Sequence, residues 1–155
     1  MTRSTQQPHP PYGQGDASFR AAGGIEGIRQ LVDAFYDAME TLPAAAVIRA
    51  MHPADLTVAR DKLHLFLCGW LGGNPSDGAS LYARKYGPIT IPTAHAHLPI
   101  GVAERDQWLL CMQHAVAAQP YPDDFQRYLM VQLAVPAERI RQACAARVSE
   151  SSARE

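Results

Sequence analysis

The chain has 155 residues, 47% hydrophobic and 19% charged, and 14 Lys+Arg against 15 Asp+Glu give a formal net charge of -1. That suits a single globular domain, and the balanced charge excludes a general nucleic-acid or anionic-membrane binder, which needs a basic face. No run of about 18 apolar residues occurs, so no membrane span is expected. Residues 1–20 also lack the apolar run of a secretory leader, so a cytoplasmic setting is expected.

Residues 1–21 combine Pro8, Pro10, Pro11, Gln and Gly with almost no aliphatic side chains, and are expected to be a disordered extension. Residues 24–42 then carry Ile25, Ile28, Leu31, Val32, Phe35, Tyr36 and Met39 at helical spacing, one stripe of an amphipathic helix limited by Pro43. A short helical piece covers residues 44–51, and His52-Pro53 marks a turn because a residue before proline avoids the helical region. The second long helix runs from Pro53 or Asp55 to Leu71. Leu56, Ala59, Leu63, Phe66, Leu67 and Trp70 form its inward stripe, and Gly72-Gly73 stops it. His64 falls off that stripe and is expected to face solvent.

Residues 74–94 read as irregular, with one or two helical turns over residues 81–86. A loop this long inside a small domain is uncommon unless it has a function. A third long helix begins near Ala103 and presents Trp108, Leu109, Cys111, Met112, Ala115 and Val116, until Pro120 and Pro122 end it. The last helix carries Phe125, Tyr128, Leu129, Val131 and Leu133, and Pro136 is expected to kink or restart it. Residues 146–155 read as a flexible tail. No convincing strand is present, so the class is all-α.

Cys68, Cys111 and Cys144 are odd in number and widely spaced, with no metal-binding pattern, so they read as buried free thiols. No phosphate loop, nucleophile elbow or HExxH helix occurs. What composition leaves unexplained is six His, two Trp and six Tyr in one small domain. His95 and His97 form an H-x-H pair between Pro92 and Pro99, and either imidazole could bind a metal or simply be a loop histidine. Tyr36 and Trp108 could be core residues whose polar atoms find partners. His52 sits at a turn, His9 in the leader, and His114 on a polar helix face.

The segment His95–Met112, HAHLPIGVAERDQWLLCM, resembles the signature of group II truncated haemoglobins, in which a haem-ligating His precedes an E-R-D-x-W-L-x-C-M run. Glu104–Met112 matches that run almost throughout. Phe35-Tyr36 is similar to the family's Phe-Tyr pair and Gly23-Gly24 to its N-terminal glycines. Leu63, Phe66, Leu67 and Gly72-Gly73 resemble its distal helix and the turn that follows. Register then decides between the histidines: the family's ligand lies ten positions before the Arg of the run, which from Arg105 is His95. Four features depart from the family. Ala94 replaces a basic residue, His97-Leu98 replaces Pro-Phe, His52 stands where Tyr or Phe is usual, and the linker after Gly72-Gly73 is longer.

The resemblance implies a two-on-two helical sandwich around haem b, with the domain over residues 22–145. It makes His95 the iron ligand. It places Phe35, Leu63, Phe66, Leu67, Tyr82, Arg84, Lys85, His97, Ile100 and Met112 around the cofactor, with Arg84, Lys85 or His97 as candidate partners for the haem propionates. Tyr36, His52, Ala59 and Trp108 fall on the ligand side, where Tyr36, His52 and Trp108 would donate hydrogen bonds and Ala59 would leave room. His52 is expected to add a pH switch, and a second axial bond from His52 or His97 would make the resting iron six-coordinate. The expected activity is reversible binding of O2, with NO, CO, peroxide and sulfide as other ligands. NO-dioxygenase or peroxidase-like turnover would need a reductase not identified by the sequence. The assembly is a monomer or homodimer. The competing reading is a haem-free helical module that binds zinc through His95 and His97 or a protein partner in an apolar groove. A Soret band separates the two.

Overall fold

The computed structural model describes residues 12–72, 79–86 and 100–154, with side chains for 12–72, 82–86 and 100–145. Among the described residues there are seven α-helices and no strand. They are α1 (Ala17–Ala21), α2 (Gly24–Thr41), α3 (Ala46–Ala50), α4 (Thr57–Trp70), α5 (Ala79–Tyr86), α6 (Val102–Ala117) and α7 (Asp123–Arg154), with a 3-10 turn over Pro43–Ala45. No helix among the described residues is long and apolar enough to cross a membrane.

The apolar stripe of α2 decides the architecture. Ile28, Leu31, Val32, Phe35, Tyr36 and Met39 are all buried, whereas Ile25, at the first turn, is 42% exposed. This stripe packs on α6 from one side and against α4 from the other, while α7 lies along α6 and α5 lies on α4. The result is one helix pair, α2–α4, laid on another, α6–α7, as the two-on-two expectation requires. The interior between the pairs holds Phe35, Cys111, Met112, Ala115, Phe125, Leu129 and Leu133, each 1% exposed or less. Burying side chains of this kind stabilises by roughly 1.5–3 kcal/mol each. Cys68, Cys111 and Cys144 are all buried.

Three elements differ from the sequence expectation. First, residues 12–21 are folded rather than disordered. Tyr12 sits 5.1 Å from the Phe125 ring and 5.0 Å from the Tyr128 ring. The Gly13 N–H donates to Ser18 Oγ at 2.8 Å, and Ser18 is buried. One aromatic and a few small residues suffice to anchor a segment whose average composition is polar. Second, α7 neither stops nor restarts at Pro136 but runs through it, and helix continues to Arg154. The proline removes one N–H from the ladder, yet Glu138 is gripped beside it by Arg105 of α6 at 2.7 Å and Arg141 at 2.6 Å. Third, His64 is not solvent-facing but 3% exposed. It belongs to a second apolar face of α4, made of His64, Leu67, Cys68 and Leu71, and its Nε2–H donates to Ile25 O of α2 at 2.9 Å. His114 is exposed, as expected.

Candidate functional site

The helix α4 carries two apolar faces, and among the described residues only one of them is fully buried. Leu67, Cys68 and Leu71, together with His64, are buried. Ala59, Leu63, Phe66 and Trp70, spaced at four, three and four residues, share a neighbouring face and stay partly exposed at the margin of the core. Phe66 and Trp70 stack there with ring centroids 6.1 Å apart and planes 19° apart. Partly exposed apolar side chains are ordinary when scattered singly; a contiguous row of them is a candidate surface for an apolar ligand.

Facing that region, a chain of ring contacts links three elements. The His52 ring meets Tyr36 edge-on at 5.8 Å, Tyr36 meets Phe35 at 4.9 Å, and Phe35 meets Trp108 at 5.1 Å. The turn after α3 supplies His52, α2 supplies the pair, and α6 supplies Trp108. Adjacent residues of a helix diverge by about 100°, which is why Phe35 can turn into the core while Tyr36 turns toward α4.

The polar atoms of this chain are lightly used. Tyr36 is 5% exposed, and its hydroxyl donates to Ala59 O at a long 3.4 Å. Burial pushes the phenol up to about 12, while the Arg60 charge pulls the other way, so the group stays a neutral donor near neutrality. Among the described residues no acceptor takes the Trp108 indole N–H. His52 Nδ1 lies 2.8 Å from Ile48 O. A carbonyl can only accept, so Nδ1 carries a proton and Nε2 is an acceptor in the neutral ring. With Nδ1 so engaged, His52 can donate through Nε2 only in its protonated form.

The other sequence candidates separate. Phe35, Leu67 and Met112 are fully buried among protein side chains. Leu63, Phe66 and Ile100 are partly buried. Tyr82 is 9% exposed and sits 5.5 Å from the Tyr86 ring. Lys85 is engaged: Asp61 accepts from its Nζ at 2.8 Å and from the Tyr86 hydroxyl at 2.6 Å, and both hold the carboxylate below its usual range. Arg84 is exposed, with no ion pair among the described residues. His95 and His97 lie outside the described residues, as do His9, Gly73, Ala94 and the linker at 74–78. Among the described residues no group of three potential metal ligands assembles.

Sequence reasoning missed the clamp that joins α2 to α4. Arg60 Nη1 donates to Asp33 Oδ1 at 3.0 Å and its Nη2 to Asp37 Oδ1 at 3.1 Å, with Glu40 Oε1 at 3.6 Å. Its guanidinium lies over the Tyr36 ring, 5.5 Å from the centroid. The signal was present as Asp33, Asp37 and Glu40, an acidic row at steps of four and three along one helix.

Residues 17–141 match the family described as bacterial-like globin. A group 2 truncated hemoglobin of Bacillus subtilis is 30% identical over 117 residues, covering 76% of this chain and 83% of that protein. Among solved structures, a group II 2-on-2 hemoglobin of Agrobacterium tumefaciens aligns with a TM-score of 0.73 at 32% identity, over 88% of this chain and 98% of that one. A truncated oxygen-avid haemoglobin of Bacillus subtilis aligns with a TM-score of 0.69 at 29% identity, over 79% of this chain and 97% of that one.

Proposed function

The chain belongs to the bacterial-like globin family as a group II truncated haemoglobin, and from that premise we propose that it binds O2 reversibly on a haem b held by His95. Family membership carries a haem cofactor and small gaseous ligands. The observation that supports the finer reading is the pairing of an unclosed apolar face with underused donors. Ala59, Leu63, Phe66 and Trp70 offer the apolar surface a porphyrin needs, and Tyr36 and Trp108 offer an O–H held only at 3.4 Å and an N–H with no acceptor among the described residues.

A haem held there would supply an iron able to bind a small diatomic molecule. The protein's part is to dry the space and aim donors into it. Phe35, Leu67 and Met112 exclude water from the floor, and a donor in a dry pocket acts more strongly than in water. Tyr36 stays protonated at working pH, so its O–H favours a ligand that has gained negative charge. Trp108 donates from the opposite helix layer. His52 joins them only on protonation, through Nε2. Ala59 keeps the approach over α4 open. Of the two cations on α5, Arg84 is the one free to meet a haem propionate, since Lys85 is spent on Asp61.

The test is direct. The purified chain should be red, with a Soret band and one haem per chain, and His95→Ala should lose the native spectrum and hold haem weakly. An unchanged spectrum and stoichiometry in His95→Ala removes His95 as ligand. A colourless chain that does not take up added haem removes the whole reading.

A further inference from the structure

We propose that Arg60 is a positioning residue for the Tyr36 phenol, pinned on α2 by carboxylates so that its guanidinium covers the ring and strengthens the O–H as a donor to a ligand in the pocket. The proposal rests on the reading of Tyr36 as a ligand donor.

Arg60 follows Ala59 directly on α4, so its side chain leaves the helix at the edge of the candidate pocket. A long cation at that place would ordinarily sample many rotamers. Here Asp33 and Asp37 take separate Nη atoms at 3.0 and 3.1 Å, and the Asp33 carbonyl adds a bond at 3.2 Å. Glu40 stands at 3.6 Å and also faces Arg49 at 3.6 Å. The three carboxylates sit one turn apart on one helix, so they fix the planar fork from three directions. The fixed position is over the Tyr36 ring, 5.5 Å from its centroid.

A cation over an aromatic face draws electron density from the ring, and in a phenol that makes the O–H a better donor. The carboxylates oppose this, but they are further out in solvent. Asp33, Asp37 and Glu40 are 53%, 70% and 44% exposed against 26% for Arg60. Water therefore screens the acids more than the guanidinium. The groups facing Tyr36 are then Arg60 from α4 and the His52 ring from the turn, with Phe35 neutral beside it. Arg60 also sets position: by tying α4 to α2 it fixes how far Ala59 O stands from the Tyr36 hydroxyl, now 3.4 Å. That distance is long enough to release the O–H to a ligand.

The experiment is a mutant cycle on the haem-loaded protein, with O2 dissociation by stopped flow and the C–O stretch of the CO form by infrared. Arg60→Gln should speed O2 dissociation about two- to five-fold, the size of a partly exposed cation–π contact, and shift the C–O stretch toward that of a less polar pocket. In a Tyr36→Phe background the same substitution should change neither quantity. Arg60→Lys keeps the charge without the fork and should fall between the two. If Tyr36→Phe speeds dissociation and Arg60→Gln does not, the proposal fails while the reading of Tyr36 stands. An Arg60→Gln effect that persists without the phenol also overturns it, because Arg60 then acts by another route. If Tyr36→Phe alone changes nothing, the Tyr36 reading falls and takes this proposal with it. Should Arg60→Gln not fold, Asp37→Asn loosens one arm of the clamp: faster dissociation supports the proposal and an unchanged rate overturns it.

Discussion

Gly72→Ala tests whether the N-terminal arm is part of the wall around α4. Gly72 sits just past the end of α4 with φ +95, and an ideal Cβ there would overlap Gly15 O and stand 3.2 Å from Gly15 C. Two costs follow. A side chain in left-handed backbone costs about 1–2 kcal/mol. The overlap is with backbone rather than with a flexible tip, so the arm must retreat and loosen the Gly13–Ser18 and Tyr12–Asp124 bonds, at about 1 kcal/mol for each bond lost. The expected loss is about 2–4 kcal/mol, or roughly 5–15 °C in Tm for a chain of this size. Gly15→Ala is the internal control, since Gly15 has φ +54 but nothing within 4 Å of its Cβ, and should show the conformational cost alone. Because α4 ends in the Phe66–Trp70 stack, Gly72→Ala should also speed haem transfer to an apoglobin acceptor. Thermal melts and haem-transfer kinetics of both variants supply the numbers. If Gly72→Ala loses no more stability than Gly15→Ala, the arm does not press on α4 and the reasoning is refuted.

Other expectations follow from the same geometry. Trp108→Phe removes an N–H that no described acceptor takes, so the melt should move little while O2 dissociation speeds about tenfold; an unaltered rate removes Trp108 from the ligand side. Arg141 and Arg105 pull the Glu138 carboxyl down to about 2. Because the folded value is depressed, the stabilisation is whole above the ordinary glutamate range and is lost as pH falls toward 2. Glu138→Gln should therefore lower the urea midpoint at pH 7 and leave it unchanged near pH 2; the effect should be small, because the group is solvent-screened.

Much of the fold was legible because strong periodicity and strong stops coincide. The α2 stripe from Ile28 to Met39 and the Pro43 limit give its helix almost to the residue, and Pro120 and Pro122 bound α6 in the same way. The Phe35-Tyr36 and Trp108 runs place the aromatic chain in the interior. What sequence could not show was decided by tertiary contact. His64 reads as polar and off the stripe, yet one carbonyl, Ile25 O, satisfies Nε2 and lets the ring be buried; periodicity carries no information about an acceptor 39 residues away. Pro136 reads as a break, but Arg105 comes from another helix to hold Glu138 beside it. Residues 12–21 read as disordered because composition averages over a segment, and the Tyr12–Phe125 contact depends on one ring.

The two faces of α4 bear on the choice between a haem protein and a haem-free helical module. A module built only to fold would gain by closing both faces, since each apolar side chain left partly exposed forfeits part of its roughly 1.5–3 kcal/mol. The face with His64, Leu67, Cys68 and Leu71 is closed so thoroughly that even an imidazole is enclosed, with Nδ1 unpartnered at a cost of about 1–3 kcal/mol. The adjoining face, with Ala59, Leu63, Phe66 and Trp70, is left at the margin although the same helix packs tightly a third of a turn away. Burial there is therefore not limited by packing ability. A haem is the occupant proposed for that face, and its bound ligand is the acceptor proposed for the Trp108 N–H and for the Tyr36 O–H, held only at 3.4 Å by Ala59 O. One bound haem with its ligand removes both costs at once, whereas zinc at His95 and His97 would remove neither. On these grounds Trp70→Ala should speed haem transfer to an apoglobin acceptor while leaving the near-ultraviolet dichroism of the α2–α6 core unchanged, because the closed face packs on protein and the open one is the face proposed for the cofactor.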